Sequence, residues 1–69
     1  MKTTYPICKE YLLQEAKEAK KQFKNDLPAI RQCINDYSDY LSREYNLTEY
    51  QCDLLFNYAC KLHEKFAKN

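Results

Sequence analysis

Cys60-x-x-His63 sets a thiol and an imidazole on adjacent positions of one helical face. Cys52 lies two turns earlier on a similar bearing, and Cys33 supplies another thiol from an earlier segment. Together they outline a Cys3His set of the kind that holds zinc. The chain has no C-x2-C pair, however, and these residues fall within helical stretches rather than on a knuckle. The same thiol and imidazole resemble a nucleophile with its base, but the sequence supplies neither an oxyanion hole nor a cleft to go with them. Four cysteines also allow three disulfide pairings, with Cys8 placed to reach Cys33 or Cys60 depending on the handedness of the fold. We read the cysteines as small apolar packing groups. The expectation is a chain with no catalytic residue, no metal and no cofactor.

The composition supports that expectation. The chain has 69 residues and no glycine. Phosphate-binding loops, dinucleotide fingerprints, EF-hand loops and nucleophile elbows all need glycine where the backbone turns tightly or a ligand approaches closely. Two-residue hairpins are also disfavoured, because their turns want glycine.

Two other constellations point to binding. Lys17, Lys20, Lys21 and Lys24 fall within roughly a 100° arc of one helix, a compact basic stripe suited to phosphate contact. The bland account is a solvated face whose lysines favour a helix C-terminus. Arginine, the usual reader of base edges, is scarce: only Arg31 and Arg43 are present. The seven tyrosines are the stronger signal. Tyrosine buries area at low entropy cost and keeps a polar tip, so it is enriched at interfaces. Tyr37 and Tyr40 sit with Asp36 and Asp39 in an acidic-aromatic segment, and Tyr50 lies near the start of the last helix.

Three helices must position these residues. The first spans about 4–25, with Thr3 or Thr4 as N-cap and Pro6 in the first turn. Its apolar stripe is Cys8, Leu12, Ala16, Ala19 and Phe23. The second spans about 27–45, capped by Asp26, with Pro28 in its first turn. Its apolar face is Leu27, Ile30, Cys33, Ile34, Tyr37, Tyr40, Leu41 and Tyr45. Asn46 suits the left-handed conformation that closes a helix. Thr48-Glu49-Tyr50-Gln51 reads as a capping box that opens a third helix over about 48–67.

The third helix is greasy over roughly 200° of its circumference, where a surface helix needs a little over 100°. Two short companions cannot easily cover so wide an arc, so Phe56 and Cys60 are expected to face another molecule.

Charge is segregated along the chain. Residues 1–24 carry +3, residues 25–53 carry −4 and residues 54–69 carry +2, within a net charge of +1. That pattern steers association as readily as it steers any other binding. No stretch approaches the ~18 apolar residues of a membrane span, and Lys9 and Glu10 interrupt any signal-peptide core, so a cytoplasmic location is expected. The Lys-, Asn- and Tyr-rich composition with little Arg fits AT-rich coding, as in a small accessory protein of a low-GC bacterium or its phages and plasmids.

The reading is therefore an all-α three-helix bundle forming one domain over residues 1–69. It is a non-enzymatic module that binds a protein partner as regulator, inhibitor or assembly subunit, with homodimers expected. Tyr37, Tyr40, Asp36, Asp39, Tyr50, Phe56 and Cys60 are the expected contact residues. The alternative is a nucleic-acid-binding accessory protein that uses the Lys17, Lys20, Lys21 and Lys24 stripe.

Overall fold

A computed structural model describes residues 4–68, and Thr3, the other candidate first cap, lies outside them. Three helices follow one another: α1 over Tyr5–Phe23, α2 over Leu27–Glu44 and α3 over Glu49–Phe66. All three pack against one another. Short connections turn the chain back twice, so α1 and α3 run parallel and α2 antiparallel to both. The result is an elongated bundle whose Cα atoms span 40 × 17 × 16 Å. Among the described residues, no helix is long and apolar enough to cross a membrane.

The helix boundaries are set by local chemistry. The α1 N-cap is Thr4, without a side-chain cap bond, and Pro6 occupies the first turn. At α2 the Ala29 N–H donates to Asp26 Oδ1 at 3.4 Å. At α3 the capping box closes in both directions. The Gln51 N–H donates to Thr48 Oγ1 at 3.1 Å, and the Thr48 N–H donates to Gln51 Oε1 at 3.0 Å.

With no glycine available, Lys24 (φ 52°) and Asn46 (φ 51°) take the positive-φ positions that end α1 and α2. Asparagine tolerates that region, whereas a lysine there is strained.

The core is small. Cys8, Leu12, Ala16 and Ala19 of α1 meet Ile30, Ile34 and Leu41 of α2 and Leu55, Ala59 and Leu62 of α3, all buried. The two alanines of α1 let its neighbours approach closely but bury little area. One position of α2 departs from expectation. Ser38 is buried and Tyr40 is 51% exposed. The Ile30–Ile34–Leu41 stripe centres on the bearing of Ser38 more nearly than on that of Tyr40, which lies about 100° away around a 3.6-residue turn.

The fold also converts the charge pattern into a spatial one. The end built from the C-terminal halves of α1 and α3 and the start of α2 holds eight Lys and Arg against four acids. The opposite end holds six acids against Lys9 and Arg43. The bundle is a dipolar rod.

Candidate protein-docking face

The outer side of the α2–α3 pair carries an exposed aromatic ring beside open clefts. Along α3, Asp53, Phe56, Cys60 and Glu64 are exposed on one side of the helix. Phe56 is 57% exposed, while its neighbour Leu55 is fully buried. Along α2, the residues facing this stripe are small and polar: Asn35, Ser38 and Ser42 at spacings of three and four. Small side chains opposite a phenylalanine leave a trough.

Two clefts of about 370 Å³ each lie in it. The first, at the basic end, is lined by Arg31, Cys60, His63, Glu64, Ala67 and Lys68. The second, nearer the acidic end, is lined by Asn35, Ser38, Asp39, Ser42, Cys52, Asp53 and Phe56.

The Arg31 guanidinium ties the first cleft together by donating to the Ala67 carbonyl at 3.1 Å. It satisfies an orphan carbonyl at the end of α3. Beside it, His63 Nε2 is buried without a hydrogen-bond partner. Burial, reinforced by the Arg31 charge and opposed by the Arg31 backbone, lowers the His63 pKa below its ordinary value of 6.5. The imidazole is therefore neutral near pH 7. In the second cleft, Asp39 pairs with Arg43 at 2.9 Å, both side chains being well exposed, so the pair adds little stability. Asp53 has no ion-pair partner among the described residues.

The expected contact residues do not form one patch. Phe56, Cys60 and Asp39 share the α2–α3 face. Tyr37 and Tyr40 do not reach it: they stack on each other at 5.6 Å, on the α1 side of α2. There Tyr11 and Tyr45 form a tilted pair at 6.3 Å. Burial and the nearby Glu15, Tyr40 and Tyr11 raise the Tyr37 phenol above its usual value.

Tyr50, 72% exposed, belongs to the α1–α3 side. Its influence there falls on Tyr5, and Lys9 Nζ lies 4.8 Å from the Tyr58 ring. Asp36 points outward and accepts from Gln32 Nε2 at 2.9 Å. The single acidic-aromatic patch expected from the sequence is thus divided among three faces. A helical wheel gives bearings within each helix but not the handedness that decides which neighbour a flank meets.

The thiols are also dispersed. All four are free. Among the described residues, no three His, Cys, Asp or Glu side chains converge as a metal site. Burial raises the Cys8 thiol, and burial with Glu15 and Asp36 raises Cys33. Both are held as thiols, away from the thiolate form that ligates and attacks. Cys52 turns its Sγ to the Leu47 carbonyl at 3.8 Å.

Lys17, Lys20, Lys21 and Lys24 are all exposed, with no ion pair among the described residues. Lys61, Lys65 and Lys68 join them at the same end of the rod.

Arg31, His63 and Ala67 were not among the expected contacts. The sign available in the sequence was the 3-4 spacing that continues from Asp53 through Phe56, Cys60 and His63 to Ala67. No family model, curated protein or solved structure matches the chain.

Proposed function

We propose that the chain is a non-enzymatic protein-binding module, a regulator, inhibitor or assembly subunit that acts by occlusion, and that its partner sits on the α2–α3 face. The observation that carries this reading is the exposed Phe56 ring, which lines one of two clefts of about 370 Å³ on this face. Interfaces are anchored by a few aromatic and Arg side chains seated near pockets and ringed by polar groups. Here Phe56 is the aromatic anchor, Arg31 lies in one cleft, and Asp39 and Asp53 form the polar rim.

The test is capture by immobilised chain from the cells that express it, comparing wild type with Phe56→Asp. Circular dichroism first establishes that the variant keeps its helices. A protein retained by wild type and lost by the variant supports the reading. Equal capture by both overturns it.

A second reading has one observation in its favour: seven lysines gather at one end of the rod, none in an ion pair among the described residues. This would make the chain an accessory protein that contacts nucleic-acid phosphates. A gel shift at low salt with no retardation of duplex DNA or RNA removes it.

A further inference from the structure

We propose that the partner on the α2–α3 face is a second copy of this chain, related by a twofold axis beside Cys60 that sets the two α3 helices antiparallel. This rests on the docking reading above and names its partner.

The first support is the seam itself. Glu49, Asp53, Phe56, Cys60, His63 and Ala67 follow one another at spacings of four, three, four, three and four. That alternation keeps them along one side of the helix, with the exposed Phe56 and Cys60 at its centre.

The second is what a twofold at Cys60 superposes. Asp53 and Ala67 lie seven residues to either side of it, about 10 Å each way at 1.5 Å per residue. The Arg31 guanidinium sits on the Ala67 carbonyl at 3.1 Å, with Lys68 adjacent in sequence. In the antiparallel pair, these cations therefore stand at the level of the second copy's Asp53, which has no ion pair among the described residues.

Phe56 and Glu64 lie four residues to either side of Cys60. Each Phe56 then falls at the level of the second copy's first cleft, between its Cys60, His63 and Ala67. A cleft of about 370 Å³ exceeds the ~150 Å³ cavity known to accept a benzene ring.

The third support is global. A rod with a basic end and an acidic end repels its copy when aligned in parallel and attracts it when antiparallel. Isologous contact also satisfies both ends at once and closes the assembly at two. It supplies the added cover that a domain of this size commonly takes from a second subunit.

The test uses the full chain in reducing buffer, with size-exclusion chromatography and light scattering. Wild type is expected at twice its 8.3 kDa mass. Asp53→Lys and Lys68→Glu, each checked for helical circular dichroism, are expected to pair about tenfold or more weakly than wild type. An equimolar mixture of the two is expected to recover the dimer, because each opposed pair again has opposite signs. Arg31→Glu in place of Lys68→Glu gives the same mixing result if it folds.

Diamide, which takes up the two thiol hydrogens as the S–S bond forms, is expected to link wild-type chains through Cys60. The link is lost in Cys60→Ser and kept in Cys33→Ser. A wild type that stays at 8.3 kDa, or a mixture no better paired than its components, overturns the inference. A monomeric chain that still captures another protein through Phe56 overturns self-pairing and leaves the docking reading standing. A dimer indifferent to Phe56→Asp overturns self-pairing through this face, and unchanged capture by that variant overturns the docking reading as well.

Discussion

Leu55 and Phe56 are adjacent in sequence, yet truncating them should have very different costs. Leu55 is fully buried, whereas Phe56 is 57% exposed. Leu→Ala in a packed core costs about 2.7–5 kcal/mol, because the transfer term is joined by an unfilled cavity. With alanines already at positions 16, 19 and 59 of the core, there is little bulk nearby to collapse into the gap. The upper part of that range, about 4 kcal/mol, is expected. The covered two-fifths of Phe56 amounts to roughly 85 Å² of a ~200 Å² side chain. At ~25 cal/mol per Å² this gives at most about 2 kcal/mol. Alanine's better helix propensity returns about 0.5 kcal/mol, so the net cost is at most about 1.5 kcal/mol.

The assay is urea denaturation followed by circular dichroism, at a concentration where the chain is monomeric. A domain of this length holds roughly 3–10 kcal/mol in total, so Leu55→Ala should remove much of it while Phe56→Ala leaves a cooperative transition near that of wild type. At high concentration the wild-type midpoint should rise through mass action, and the Phe56→Ala midpoint should not. Equal losses from the two truncations in dilute solution would mean that Phe56 is enclosed by its own chain. The reasoning that makes it an anchor would then be wrong.

Other consequences are directly measurable. Lys24→Gly should stabilise the fold by about 1 kcal/mol in the same urea assay, since glycine takes φ 52° without the penalty of a Cβ. Thr48→Ala should cost about 1 kcal/mol by removing half of the α3 capping box. The His63 titration, followed by proton NMR, should have its midpoint below 6.5. The unfolded chain then takes up that proton first on acidification, so stability should fall as pH drops from 6.5 toward the lowered folded value and then level off, and His63→Gln should lack that fall. If the basic end binds duplex through Lys17, Lys20, Lys21 and Lys24, affinity should drop by roughly two orders of magnitude between 50 and 200 mM salt in a filter-binding assay.

Much of the fold was legible because local signals agreed with one another. Asp26, Thr48 and Asn46 marked helix ends within two residues of the observed ones, since caps and left-handed positions are chosen by side-chain chemistry at single residues. The uncovered side of α3 was legible too, because a bearing around one helix needs no knowledge of its neighbours. Tyr40 was misplaced because an aromatic residue weighs heavily in choosing a face, whereas Ser38, which packs inward, carries no hydrophobic signal. The grouping of the tyrosines was illegible for a different reason. Tyr37 and Tyr40 flank one side of α2, and the handedness of a three-helix bundle decides whether α1 or α3 lies there. That choice is made by packing over the whole core.

Charge shows how the same sequence information changes meaning on folding. Along the chain it reads as basic, acidic and basic segments, a pattern with no direction. Two reversals of direction place the end of α1 and the end of α3 together, so the two basic segments add. The acids of α2 lie mostly in its second half, from Asp36 to Glu44, and therefore join Glu49 and Asp53 at the opposite end. The charge pattern becomes an axis, and an axis can choose between parallel and antiparallel neighbours. Phe56 and Cys60 lie on the face between the two ends. In the proposed pairing, apolar contact there supplies adhesion without orientation, and the charged ends supply orientation with little adhesion of their own in salt. Neither element would specify a partner alone.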